Sequence, residues 1–329
     1  MLNLILIIFG PVSVVSIGLA WVFGKHFLTL DPEKGLLRQG ALWMGILLPL
    51  AYFMVLGGII WSEYELDISS AGLVTFFNIS GIPLAVLSLT LPLTVLISRL
   101  HATEQTAKQI EMASHKNNLD SFYAHRNELF TYFDHLNETE YLDGALTGRF
   151  GIHPRLHKAF FNGRPELGVP EVDTEHFNSI ENILAVTRMQ IDKVLKSENA
   201  DEEAISWYLC NACVSIHTLS MALGLPEIYI ELADKGVLVE LYVKGQEEKQ
   251  RFLSVGTSTD DLVAAFRYAN DYFNNLCDFA GYTRGDVAEE YQYIDTGGSF
   301  RELRSPGIIE QLQKSPTMSR GLAKWREQQ

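Results

Sequence analysis

Three runs without a charged residue constrain this chain more than any other feature. Leu2 to Gly24 is 23 residues long, Ala41 to Trp61 is 21 and Leu73 to Ser98 is 26, and none contains Asp, Glu, Lys, Arg or His. A hydrocarbon core about 30 Å thick is crossed by about 20 helical residues, so each run can form one transmembrane helix. Lipid offers no water to unpaired backbone groups, which makes the α-helix the state expected of such a run. The first run lacks the positive n-region of a cleaved signal peptide and exceeds the usual signal length of about 7–15 apolar residues, so a retained span is expected.

The distribution of Lys and Arg sets the expected orientation. The first loop carries Lys25, Lys34 and Arg38, whereas the second loop (62–72) carries only Glu63, Glu65 and Asp67, and Arg99, Lys108 and Lys116 follow the third run. This alternation predicts an N-terminus outside and a C-terminal domain in the cytoplasm. The expected architecture is an α-helical membrane protein. It comprises a transmembrane domain over 1–100 (spans at about 2–24, 41–61 and 73–98), a juxtamembrane helix over 101–136, and a mainly α cytoplasmic domain over 137–329 with a candidate small β-hairpin.

Ionisable groups at membrane depth mark pumps, voltage sensors and most coupled transporters, and the three runs have none. Their polar content is Gly, Pro and hydroxyls. In the third run Pro83, Leu87, Thr90, Thr94 and Ser98 recur at steps of 3 and 4 and share one helical face, and Pro92 adds a second site for a kink. The hydroxyls either satisfy carbonyls freed by the prolines and pack against a neighbouring helix, or form a weakly polar stripe that faces water when copies assemble.

Residues 99–136 contain neither Gly nor Pro, and their apolar positions keep steps near 3 and 4, so the third span is expected to continue as a helix with a bend near Asn117. The polar side of this helix, His101, Glu104, Gln105, Lys108 and Gln109 followed by His125, Arg126 and Glu128, is either a partner-facing surface or a solvated face. Beyond a turn-rich stretch over 137–151, a short helix is expected from Pro154 to about Phe161, with longer helices at about 174–197 and 202–223. VLVELYV and RFLSV between Gly236 and Val255 read as a hairpin, and Ser258 with Asp261 reads as a capping box for a helix to about Ala280. A last helix is expected near Pro306 to Trp325.

The chain carries a net charge of −14, nearly all of it after residue 100. Phosphate binding needs clustered cations, so general nucleic-acid binding is not expected. Cys210, Cys213 and Cys277 form no disulfide framework. The CxxC lies within an apolar helical run, which favours buried structural thiols over metal or redox chemistry. His153 and His157 are spaced to share a helix face, yet the further ligand candidates Glu166, Glu171 and His176 lie across a Pro/Gly loop. No GxxxxGK[ST], GxSxG or HExxH motif occurs, and the Asn78 and Asn137 sequons lie in a span and on the cytoplasmic side. No catalytic residue, cofactor or metal is expected.

One segment is distinctive. Asn78 to Glu111 (NISGIPLAVLSLTLPLTVLISRLHATEQTAKQIE) with Phe122 to Leu129 (FYAHRNEL) resembles the transmembrane effectors encoded beside retron reverse transcriptases in bacterial anti-phage systems, and HPRLHKAFF is similar. The resemblance rests on the Gly-Ile-Pro-Leu entry to the span, its second proline, the exit Arg-Leu-His-x-x-Glu-Gln-Thr-Ala-Lys-Gln-Ile and the Tyr-x-x-His-Arg-x-Glu pattern. Two spans are associated with such effectors, against three here. It implies a toxic effector held inactive by a reverse transcriptase bound to its small DNA–RNA hybrid. When infection disturbs that complex, the effector damages the inner membrane in abortive infection. Membrane lipid and the reverse transcriptase complex would be its partners, with homo-oligomerisation as an option. The alternatives are a non-toxic membrane anchor or receptor that recruits a cytoplasmic partner, and a membrane enzyme.

Overall fold

The computed structural model describes residues 2–65, 67–196, 202–241, 250–302 and 309–310. The chain divides into two compact units, one to Lys116 and one from Asn117.

In the first unit, α1 (Leu2–Phe23) packs along α2 (Gly40–Trp61), and α2 packs along the third apolar segment. That segment is not one helix. It is divided into α3 (Ser70–Ile79), α4 (Gly81–Ser88) and the start of α5 (Thr90–Asp134). The breaks at Ser80 and Leu89 each fall three residues before a proline. A proline ring clashes with the carbonyl four residues back, but it is tolerated in a first helical turn, where its missing N–H would go unused. Restarting the helix at Gly81 and Thr90 places Pro83 and Pro92 in such turns. Ser80 bridges the first break, its N–H donating to Phe76 O and its O accepting from Leu84 N, each at 2.9 Å. At the second, Leu89 N reaches Val86 O in a tighter turn, and the Ser88 hydroxyl donates to Ala85 O at 2.7 Å.

Apolar side chains cover the outside of this unit. Trp21 is 89% exposed, Leu91 76% and Val14 71%. Water does not tolerate a contiguous apolar surface of that kind on an ordinary monomer. Among the described residues three helical stretches are long and apolar enough to cross a membrane, beginning at Ile5, Gly40 and Gly81, the third running through the break at Leu89.

The second unit has a conventional buried core. Its centre is α10 (Thr259–Ala280), in which every residue from Leu262 to Asn270 is buried. The expected capping box is present: Asp261 N donates to Ser258 Oγ, the Asp261 carboxylate accepts from Ser258 N, and left-handed Gly281 ends the helix. Against α10 pack α7 (Thr174–Leu195) and α8 (Glu202–Leu223), which also pack along each other. Leu129 and Phe133 of α5 belong to the same core. The short α6 (Leu156–Phe160) lies against α7, and a π-helical turn over Glu227–Leu232 follows α8 and leads into α9 (Ala233–Lys235).

Among the described residues three antiparallel hairpins complete the unit: β1 (Thr139–Tyr141) with β2 (Leu146–Gly148), β3 (Phe161–Asn162) with β4 (Glu171–Val172), and β5 (Leu238–Leu241) with β6 (Gln250–Leu253). Only the last matches a strand expectation. The first forms inside the turn-rich stretch, around Leu142, Asp143 and Gly144 in left-handed conformations. A short α11 (Gln292–Asp295) follows α10. The final helix expected over Pro306–Trp325 lies outside the described residues except for Ile309 and Glu310. Near Asn117, where a bend is expected, α5 continues as helix through both asparagines. Asn118 ties this stretch to the loop beyond α6, its side-chain amide donating to Glu166 O at 2.7 Å.

Candidate functional site: the third apolar segment and its exit helix

The face running through Pro83, Thr90, Thr94 and Ser98 is mostly turned inward. Pro83 is buried and Leu87, Thr90, Thr94 and Ser98 are half-buried, whereas Pro92 is exposed. The neighbour is α2. Gly45 lies where α5 comes close, and a Cβ there would meet Ile97 Cδ1 at 2.8 Å. Close approach of backbones at small residues is the usual way helices associate in lipid. The Thr90 hydroxyl is buried without a hydrogen-bond partner among the described residues. It therefore does not repair a carbonyl freed by a proline, and a buried unpaired hydroxyl costs about 1–3 kcal/mol in water-based comparisons.

Along the exit helix, six of the eight proposed partner-facing residues reach solvent. Glu104, Gln109 and Glu128 are exposed, Lys108 pairs with Glu111 at 3.1 Å, Gln105 donates to Pro32 O at 3.3 Å, and Arg126 lies over the Phe130 ring. His101 and His125 turn inward. His101 is 3% exposed with neither ring nitrogen bonded, because the first loop folds over this stretch of α5, held by Gln39 bonds to Asp31 and Lys34.

His125 enters a box of aromatic rings in the second unit. Its Nδ1 lies 3.1 Å from His157 Nε2, and its ring packs edge-on against Phe161 and Phe279. Phe122 closes the box against His157. Burial lowers the pKa of His125. Burial, then the nearby His125 and Arg126, lowers that of His157 to about 4. Near neutral pH both rings are neutral, so one nitrogen of the close pair donates and the other accepts. This contact corrects the expectation for His153 and His157. Their spacing of four does not put them on one face, because α6 begins only at Leu156. His153 precedes it, exposed, with Nδ1 accepting from Arg155 N at 3.2 Å.

A polar network around α10 escapes sequence reading. Arg188 of α7 forks onto Asp295 of α11 with bonds of 3.0 to 3.2 Å. Asn270 of α10 accepts from Arg284 at 3.1 Å and from Arg188 at 3.4 Å. Tyr141 donates to Asp271 at 3.0 Å, Tyr272 to Gly151 O at 3.0 Å, and Tyr268 contacts Glu227 and the Arg149 carbonyl. Burial raises the pKa of Tyr141, Tyr268 and Tyr272, so they serve as neutral donors that tie loops to the core.

Cys210, Cys213 and Cys277 are buried free thiols, pushed by burial to about 11, 12 and 12, and so stay protonated near neutral pH. Among the described residues no three His, Cys, Asp or Glu groups come together as metal ligands. Comparison of the chain with protein-family models, with curated proteins and with solved structures yields no match.

Proposed function

We propose that this chain is a membrane-embedded toxic effector of a bacterial anti-phage system that perturbs the inner membrane when a cytoplasmic inhibitor releases it. The observation that carries the reading is α5. One uninterrupted helix of 45 residues starts in the proline-containing apolar segment and ends with Leu129 and Phe133 in the core of the second unit. A change in how the second unit is held therefore reaches the membrane segment through hydrogen-bonded helix rather than a loose linker. The resemblance of residues 78–111 and 122–129 to retron-associated effectors supports the same reading. In this proposal the N-terminus lies outside and the second unit in the cytoplasm. The acidic character after residue 100 suits docking onto a basic protein, a reverse transcriptase with its small DNA–RNA hybrid, rather than onto nucleic acid.

The test is membrane potential, followed with a voltage-sensitive dye in bacteria expressing the chain alone and then with its genomic neighbours under phage challenge. Depolarisation before growth arrest is expected. Thr90 and Thr94 changed together to Leu should delay it by several-fold at equal membrane insertion. A potential that holds in both settings, with the protein verified in the membrane, would sink the effector reading.

The inward turn of Thr90 and Thr94 supports a second reading, a non-toxic anchor whose second unit recruits a partner. Under it, unrelated spans replace residues 1–98 without loss of function.

A further inference from the structure

A cavity of about 540 Å³ opens in the first unit where α2 ends and α3 begins. Trp61, Tyr64, Leu73, Phe76 and Ile79 wall it, and Glu65 and Asp67 stand at its rim. The volume lies within the range of about 300–1,000 Å³ typical of small-ligand sites, and an apolar interior with a few polar groups at one edge is their usual composition.

The walls are held in place. The Trp61 indole N–H donates to the Ser80 hydroxyl at 2.9 Å, tying the end of α2 to the break between α3 and α4. The indole also folds back over Gly57, where a Cβ would sit 2.5 Å from the ring. Phe53 meets Trp61 edge-on and Phe76 lies tilted beside it, both with ring centroids within 5.6 Å. Tyr64 and Phe76 stay substantially exposed, at 52% and 39%.

The rim is charged and uncompensated. From Gln39 to Ser98 the chain has no Lys, Arg or His. Glu65 and Asp67 therefore have no cationic partner within that stretch, and Asp67 bonds instead to Ser69. Asp67 accepts from both the backbone N–H and the hydroxyl of Ser69, at 2.9 and 2.8 Å, which holds its pKa below the usual carboxylate range. It remains ionised at any physiological pH. Carboxylates beside exposed aromatic faces favour a cation, which gains from both the charge and the ring quadrupole. The cavity adjoins the apolar segments, so an acyl chain can continue from it along Leu73, Phe76 and Ile79.

We propose that this cavity binds an amine-bearing phospholipid of the surrounding bilayer, with the ammonium at Glu65 and Asp67 and the upper acyl chain against Trp61, Phe76 and Ile79. The inference rests on the membrane reading of the chain but not on toxicity. An anchor would carry the site equally well.

The experiment is native mass spectrometry of the full chain released from nanodiscs of equal phosphatidylethanolamine and phosphatidylglycerol. Preferential retention of phosphatidylethanolamine is expected, reduced about fivefold or more in Glu65→Gln. Glu65 is exposed and outside every helix, so this variant should insert and fold normally, which circular dichroism checks. Glu63→Gln, outside the cavity lining, should leave retention unchanged. Equal retention of the two lipids, or retention unaffected by Glu65→Gln, overturns the proposal. A second arm presents dodecyltrimethylammonium to protein in nanodiscs lacking any amine lipid. Binding there with no retained phosphatidylethanolamine in the first arm assigns the cavity to soluble cationic amphiphiles and overturns the lipid assignment.

Discussion

At the scale of single residues, the second unit's strongest commitments are polar groups placed where only a particular state is tolerated. His157 is one. Its folded pKa, about 4, lies below the ordinary histidine value of 6.5. The unfolded chain therefore binds more protons than the folded one between those two values, and stability rises with pH there. The contribution is complete above about pH 6.5 and is lost as pH falls toward 4. The melting temperature of the full chain in detergent should fall across that window. His157→Phe, which keeps a ring stacked on Phe161, should flatten the decline, with a residual slope from His125. An unchanged slope in the variant would mean that other groups set the pH response. Arg188 is the second case. Its side chain is 5% exposed and its forked bonds to Asp295 leave little for water to do. Removing one partner of a buried pair strands the other and costs about 3 kcal/mol. Arg188→Met should therefore lower stability by about that amount, and adding Asp295→Leu should recover most of it, as read by chemical unfolding of the full chain.

At the scale of elements, local pattern and long-range pairing were unequally legible. The extents of α7, α8 and α10 follow from sequence because their determinants are local: apolar steps of 3 and 4, the Ser258–Asp261 box and Gly281 at the end. The charge-free runs announced three apolar segments for the same reason. The prolines were visible too, but the helix gives way three residues before each one, at Ser80 and Leu89, so that Pro83 and Pro92 become first-turn residues. The β1–β2 hairpin was hard to read because its strands are only three residues long and Leu142, a residue type that rarely does so, adopts a left-handed conformation, although Asp143-Gly144 is itself a turn signal. His101 was misplaced because nothing in α5 itself records that the first loop covers it. The Arg188–Asp295 and Tyr141–Asp271 bonds join residues more than 100 positions apart, beyond any periodicity. Two substitutions in α10 separate local from tertiary contributions. Ser258→Ala removes an N-cap and should cost about 1 kcal/mol. Phe273→Ala empties a fully buried site and should cost about 3–5 kcal/mol. Comparable losses from both, measured by thermal unfolding, would show that capping rather than core packing limits this helix.

At the scale of the whole molecule, the proposed effector depends on α5 acting as more than a tether, and helical phase gives a way to ask. Residues 111–117 of α5 are all exposed, so insertions there disturb no packing within either unit. An α-helix turns about 100° and rises about 1.5 Å per residue. Two alanines after Ser114 would rotate everything beyond them by about 200°. Seven would rotate it by about 700°, close to two full turns, while adding about 10 Å. If activation reaches the membrane as a rotation of α5, the seven-residue insertion should keep depolarisation and the two-residue insertion should abolish it. If activation is a displacement along the helix axis, both should impair it, the longer one more. Depolarisation intact in both would make α5 a tether, and the membrane segment would then act independently of how the second unit is held. Loss in the two-residue variant alone would tie the proline-containing segment to the second unit through the one element whose residues belong to both.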